Sequence, residues 1–259
     1  MKLLRNFGYS LLFIPFIAFA EQQVKITYEN IDSFPWNMKD GSGIDLILLK
    51  MTDDAMPEVS FKYNQAPWKR CLNNIENDTT QACFSASYKE KRLQHGFYPG
   101  THTGGEVDPA LRLHSSSYSL YVAKDSNINV TGKMVIEGLN GKIAAPSGYS
   151  IGDDLAKAGY KVDAGGTNTK NNFKKLISGR VEAVAALTLN GDNIILKNPE
   201  HAKQIKAIET PLVDKPYYLM FSKQFVKANP DLADKIWKKT AELRETQEYK
   251  DKAGAFLAQ

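Results

Sequence analysis

The sequence predicts an α/β protein of two lobes, each a mostly parallel sheet flanked by helices, with a cleft between the lobes. Strand-like and helix-like segments alternate along most of the 259 residues, an order typical of parallel sheets covered by helices. The alternation falls into two series, and residues 96–117 between them show no periodicity. Two lobes are expected because each series is long enough to bury a core.

The first series contains three strands and two helices. Alternating or continuous apolar residues predict strands at 24–28, 59–63 and 81–85, since successive strand residues point to opposite faces. Apolar residues at helical spacing predict helices across 44–55 and 67–75. Ligands of open α/β sheets bind outside the carboxyl ends of strands, so these ends are expected to face the cleft.

The second series repeats the pattern after an irregular connector. Its predicted strands are 119–124, 142–145, 160–162, 181–187 and 216–223, and its predicted helices begin at 151 or span 173–177 and 232–243. The predicted first lobe comprises residues 21–117 and 222–259, and the predicted second lobe comprises residues 118–221.

The first twenty residues have the pattern of a secretory signal peptide. Lys2 and Arg5 precede an apolar stretch at 11–19, and Ala18 and Ala20 are the small residues that a signal peptidase reads. We therefore expect cleavage after Ala20, export to the periplasm and a mature chain of 239 residues. The apolar stretch is shorter than the ~20 residues of a membrane span.

Charge and composition exclude several classes of function. Removal of the signal segment lowers the net charge from +4 to +2, with 31 basic and 29 acidic residues interspersed, which argues against a nucleic-acid partner. The four histidines lack the spacing of metal ligands. No metal or other cofactor is expected.

Cys71 and Cys83 are the two cysteines of the chain. A disulfide between them is a candidate because the expected compartment is oxidising, and it could add ~3 kcal/mol on the chain-entropy model. The alternative is that both are core residues, because Cys71 lies on the apolar face of a predicted helix and Cys83 within an apolar strand.

Arg92 is the first candidate for ligand binding. It follows the strand end that carries Ser85 and Ser87, and a guanidinium presents a planar donor fork that matches a carboxylate. This arrangement predicts a small anionic ligand. The alternative is that Arg92 is one more surface cation, next to Lys89 and Lys91.

The turn at Gly148, Tyr149 and Ser150 is the second candidate. With Gly152 it fits the G-x-S-x-G pattern of a nucleophilic serine, but the later acid and histidine, Asp192 and His201, are too close in sequence for a serine hydrolase. A turn that opens a helix can instead bind an anion through backbone N–H groups. An ordinary N-cap by Ser150 is equally compatible.

Three further residues near predicted strand and helix ends have different expected roles. Trp36 follows the first strand in Phe34-Pro35-Trp36, where an exposed ring could stack on a ligand. Trp68 is expected to pack in the core, because it lies on the apolar face of its helix. Asp45 is expected to cap or solvate the start of its helix.

Taken in order along the chain, these segments resemble the family 3 extracellular solute-binding proteins, the polar amino-acid binders of bacterial ABC importers. Their fold is the periplasmic-binding-protein type II fold, which glutamate-receptor ligand-binding domains share. The resemblance covers the mature chain and is carried by FPW with GSGIDLILLKM, APWKRCLNNI, SASYKEKR, SLYVAKDS, LNGKIAAPSGYS, FKKLISGRVEAV and PYYLMFSKQF.

The resemblance implies a role for each candidate. Arg92 would grip the α-carboxylate of the ligand, Ser87 would assist, and the Ser85 carbonyl would meet the ligand amine. The turn formed by Gly148, Tyr149 and Ser150 would bind the distal ligand group.

Two departures from the family pattern bear on the ligand. Lys89-Glu90 replaces the usual Thr-Pro, and the acid that pairs with the amine would fall near Ala186, where the sequence has no carboxylate. An ammonium would lose a charge-assisted hydrogen bond worth about 1.5–3 kcal/mol. A carboxylate without the amine, or a ligand read by Thr188 or Asn190, is therefore an open alternative.

The expected function is that of a monomeric binding protein, not an enzyme, that closes its lobes around a carboxylate-bearing solute such as an amino acid and delivers it to the membrane permease of an ABC importer. Three alternatives stay open: a sensor module read by a membrane signalling receptor, a periplasmic enzyme of the same fold such as a dehydratase, and the serine hydrolase.

Overall fold

The computed structural model describes residues 21–258, so the predicted signal segment and its cleavage position lie outside the described residues. The strands are β1 (Gln22–Glu29), β2 (Val59–Ala66), β3 (Ala82–Ser87), β4 (Gly96–Phe97), β5 (His114–Ala123), β6 (Asn129–Gly132), β7 (Val135–Glu137), β8 (Lys142–Pro146), β9 (Lys161–Gly166), β10 (Ala183–Leu187), β11 (Ile205–Ala207) and β12 (Val213–Ser222). The helices are α1 (Ile44–Ala55), α2 (Trp68–Glu76), α3 (Ser150–Lys157), α4 (Thr169–Ile177), α5 (Thr188–Leu196), α6 (Pro199–Gln204), α7 (Lys223–Ala228), α8 (Pro230–Arg244) and α9 (Gln247–Leu257).

One sheet runs through the molecule in the order β2-β1-β3-β12-β5-β10-β8-β9. The three strands at one end, β2, β1 and β3, are parallel, and so are β10, β8 and β9 at the other end. Between these flanks β12 and β5 are antiparallel to each other and to their neighbours β3 and β10. The predicted two-lobed α/β class is confirmed, with parallel strands in each flank and an antiparallel centre.

Strand β12 joins the two flanks by changing its partner. Val213–Tyr217 pairs with β5, and Tyr217–Phe221 pairs with β3. Helix α1, on the β1 side, packs against α8 and α9 from the end of the chain. The predicted limit between residues 117 and 118 falls inside β5, and the limit between residues 221 and 222 falls near the end of β12. The division into lobes at these residues stays a prediction.

The connector predicted as irregular across 96–117 already contains the start of β5. This strand begins at His114, five residues before the predicted start, and its buried side chains alternate as His114, Ser116 and Tyr118. Two of these three side chains are polar, so the apolar alternation that marks a strand in the sequence is weak here.

The two cysteines are free thiols, so the candidate disulfide is not formed. Both side chains are fully buried in an apolar cluster with Ile75 and Ala86, and the Cys71 thiol donates to the carbonyl of Ala66 over 3.3 Å. Burial raises the pKa of Cys83 to about 12 and raises that of Cys71 further. The cysteines are core residues, the alternative considered from the sequence.

No helix within residues 21–258 combines the length and apolar character that crossing a membrane requires.

Candidate functional site

A cavity of about 30 Å³ lies where the ends of β1 and β3 meet β5, β12 and the start of α3. It has room for one or two water molecules, so an amino acid could enter only if the surrounding elements moved apart. Six predicted site residues line it: Trp36, Ser85, Ser87, Arg92, Tyr149 and Ser150. The seventh predicted site residue, Gly148, does not line the cavity, but its carbonyl accepts a hydrogen bond from Arg92, which does.

Arg92 is buried at this cavity, with 4% of its surface exposed, so its interpretation as a surface cation is wrong. It lies on a short 3₁₀ helix, 90–94, directly after β3. Its Nη1 donates to the Ser87 carbonyl at 2.7 Å, and its Nη2 donates to the Gly148 carbonyl at 3.0 Å. The guanidinium carbon lies 5.2 Å above the Trp68 ring, so Trp68 is a core residue and also supports Arg92.

Gly148 approaches Arg92 through its backbone. Its φ is +80°, and a Cβ there would lie 3.1 Å from Lys69 and 3.3 Å from Trp68. A side chain would therefore be strained and crowded. The glycine allows its carbonyl to reach the guanidinium, so the predicted turn and the predicted arginine are brought together.

Ser150 is the first residue of α3, and Tyr149 occupies the N-cap position without a side-chain capping bond. The predicted N-cap by Ser150 is therefore wrong. The Ser150 hydroxyl accepts from the Ser87 hydroxyl at 2.8 Å and from Lys215 Nζ at 2.9 Å. Two backbone N–H groups of this turn are already paired, because Tyr149 donates to the Pro146 carbonyl at 3.1 Å and Gly152 donates to the Tyr149 carbonyl at 3.3 Å.

The histidine that the sequence offers to a serine hydrolase, His201, lies away from Ser150. His201 packs edge-on against Phe173, with ring centroids 6.0 Å apart, and does not line the cavity. Burial lowers the pKa of Lys215, while an ion pair with Asp154 opposes this.

Glu29 is a cavity residue that sequence reasoning missed. It accepts a hydrogen bond from the Tyr149 hydroxyl, and burial raises its pKa to about 7, although Tyr149 and Arg92 both act in the opposite direction. It directly follows the predicted strand 24–28, so the rule that ligands bind at carboxyl ends of strands could have found it. Among the described residues that line the cavity, Glu29 is the carboxylate.

A second missed group is centred on Asp45, which is fully buried. Asp45 accepts hydrogen bonds from the Ser85 hydroxyl and from Nδ1 of His114, the latter at 2.7 Å. The expectation that it caps or solvates its helix is wrong. Ser85 has a φ of +55°, which is uncommon for a residue other than glycine. His114 in turn stacks on Trp36. The Trp36 ring, expected to be exposed and to stack on a ligand, therefore packs against a side chain.

The position expected for an amine-binding acid lies behind the cavity wall. Ala186 is fully buried with Tyr121 and Phe173, and the next residue, Leu187, lines the cavity. Thr188 donates to a backbone carbonyl of β5, and Asn190 donates to Thr169 at 3.3 Å. Neither Thr188 nor Asn190 lines this cavity, so neither is positioned to contact a ligand there.

Within residues 21–258, no group of three or more His, Cys, Asp or Glu side chains is arranged to hold a metal ion.

Comparison with known proteins identifies the fold. No protein-family profile and no curated protein sequence matches the chain. A histidine kinase sensor domain similar to periplasmic binding proteins matches with a TM-score of 0.72 and 14% identity, over 92% of this chain and 96% of that chain. An ancestral arginine-binding protein bound to arginine matches with a TM-score of 0.70 and 17% identity, over 91% and 98%.

A structure from the study of glutathione import via GshT and the cystine ABC importer TcyBC of Streptococcus mutans also matches. Its TM-score is 0.72 at 18% identity, over 92% of this chain and 96% of that chain. These similarities confirm the resemblance at the level of the fold: the chain has the two-lobed fold of family 3 solute-binding proteins.

Proposed function

We propose that the protein binds a small carboxylate-bearing solute between its lobes and, once closed, delivers it to an ABC importer. The observation that carries this proposal is Arg92, a buried cation whose donor groups reach both sides of the interlobe cavity. A buried guanidinium requires strong acceptors. A ligand carboxylate is a stronger acceptor than the two carbonyls that it now contacts.

Lobe closure would need no reaction. Arg92, Ser87 and the Gly148–Ser150 turn already meet in the closed arrangement. A ligand that binds this arrangement better than an open one shifts the population toward it. Glu29 gives the ligand amine of an amino acid a carboxylate partner from β1, in place of the acid missing near Ala186.

The test is a thermal-shift screen of the protein with amino acids, short peptides, and mono- and dicarboxylates. A ligand at 100 times its Kd adds ~2.7 kcal/mol of stability, which corresponds to a shift of several degrees. We expect a hit that disappears in Arg92→Ala, with Kd weakened by at least about 100-fold, and persists in the matched control Arg180→Ala, whose arginine is exposed. A hit of unchanged affinity in Arg92→Ala would contradict the assignment.

A sensor is the second candidate, favoured by the similarity to the histidine kinase sensor domain. It would bind its ligand in the same way and differ only in the membrane partner. Co-purification with a permease or with a receptor, in the presence of the identified ligand, distinguishes the two.

An enzyme of this fold is less supported. Glu29 is the carboxylate that a dehydratase would need in the cleft, yet the matching structures described above are binding or sensor proteins. Recovery of the bound ligand chemically unchanged after prolonged incubation would exclude turnover of that ligand.

A further inference from the structure

Three aromatic rings form a stack beside the cavity. The Trp36 and His114 rings are nearly parallel, 7° apart, with centroids separated by 3.5 Å. Tyr217 covers the other face of His114 at 4.9 Å and 12°. Because both faces of the imidazole are covered, its polar contacts can form only at its edges.

One edge of the His114 ring is hydrogen-bonded to Asp45. Its Nδ1 lies 2.7 Å from Oδ1 of Asp45, and a carboxylate there accepts the Nδ1 proton and so fixes the tautomer. The neutral ring then has Nε2 as a hydrogen-bond acceptor.

Within the described residues, two polar atoms of the stack are unpaired, while the Tyr217 hydroxyl donates to Tyr118 at 3.0 Å. Nε2 of His114 and Nε1 of Trp36 are buried, and neither has a hydrogen-bond partner within residues 21–258. The two residues are only 7% and 6% exposed, and both line the cavity. Native proteins pair almost all buried polar atoms, so two unpaired atoms on stacked rings beside one cavity indicate a place for a ligand group.

The chemistry of the two atoms selects that group. The indole N–H can only donate, and Nε2 of the neutral imidazole accepts. A hydroxyl satisfies both, since its oxygen accepts from Trp36 while its proton is donated to His114. An ammonium offers nothing to the indole, and a methyl group offers nothing to either atom.

We propose that Trp36 and His114 form a subsite for a ligand hydroxyl, so that the solute is a hydroxyl-bearing carboxylate. This inference rests on the proposed function, which assigns the carboxylate to Arg92. It adds a specificity-determining pair to the same cavity.

Matched pairs of acids test the subsite by calorimetry: malate with succinate, lactate with propionate, 4-hydroxybutyrate with butyrate, and serine with alanine. We expect the hydroxylated member of at least one pair to bind about 10- to 100-fold more tightly, which is the effect of one or two well-formed hydrogen bonds in a buried site. The deoxy member of that pair is the internal control.

Two variants assign the preference to the stack. Trp36→Phe keeps a stacking ring and removes the N–H, and His114→Asn places an amide donor near Asp45 while removing Nε2. Each is expected to reduce the hydroxyl preference, the ratio of the two affinities within a pair, to about threefold or less. His201→Asn is the matched control, because His201 is equally buried, also has an unpaired ring nitrogen and lies away from the cavity.

The outcomes separate this inference from the proposed function. Equal binding of both members of every pair, with binding still lost in Arg92→Ala, overturns the subsite and leaves the carboxylate site in place. A preference that survives in both variants also overturns it. Absence of binding by every acid contradicts the proposed function and the subsite together. If His114→Asn fails to fold by circular dichroism, Trp36→Phe decides.

Discussion

The two sides of the cavity are held in different ways. On the side of β1 and β3, Asp45 is bonded to Ser85 and His114, which belong to the same predicted lobe. On the side of α3, the polar groups bond across the cavity: Ser150 to Ser87, for example. Under the proposed lobe closure, the first side would be organised beforehand, whereas the second would make its contacts on closure. Substitutions on the first side should affect folding, and those on the second should affect the balance of open and closed forms.

Asp45→Asn should have the largest effect on stability. The carboxylate is fully buried and accepts hydrogen bonds from His114 and Ser85, and removing a charged acceptor weakens the bonds of buried donors. We expect the free energy of unfolding in urea to fall by about 3 kcal/mol. A loss below 1 kcal/mol would show that this side is no better organised than the other.

Glu29→Gln should have an intermediate, pH-dependent effect. The pKa of Glu29 is raised from 4.5 to about 7, so the stabilising proton is bound below pH 4.5 and is lost as the pH rises through about 7. The Tm of the native protein should therefore fall relative to that of Glu29→Gln between these values. Parallel Tm curves for the two proteins would contradict this, and Glu90→Gln, at an exposed position, is the control.

Asp153→Asn should have the smallest effect on stability. Asp153 bonds to Lys89 at 2.6 Å, with 42% of its side chain exposed, and such partly exposed pairs contribute ~0–1 kcal/mol. We expect the free energy of unfolding to change by less than about 1 kcal/mol while small-angle scattering detects a larger open fraction. Glu200→Gln, which removes an exposed ion pair elsewhere, should leave the scattering unchanged.

The sequence predicted the parts of the site that depend on local pattern. Arg92 and the turn at Gly148 follow strand ends, and each lies in a stretch that resembles the family, so both were identified from neighbouring residues. The structure brings them within 3.0 Å of each other. The fold class was predictable for the same reason, because the alternation of strands and helices is local.

The missed groups depend on contacts between distant segments. His114 lies in a stretch that the sequence predicts to be irregular, since the strand there buries polar serine and histidine side chains. Its partner Asp45 is 69 residues away in the sequence, and no local pattern links them. The change of partner along β12 is likewise a property of strand pairing and not of the strand's own composition.

The carbonyl of Gly148 competes with any ligand for Arg92. Arg92 already donates to this neutral acceptor, so a ligand gains only the difference between its own acceptor and the carbonyl that it displaces. A carboxylate places a full negative charge opposite the guanidinium and can accept two parallel N–H groups, so an anion would gain more from the exchange than an uncharged amide or alcohol. Under the proposed function, the closed contact would therefore favour anionic groups over neutral ones.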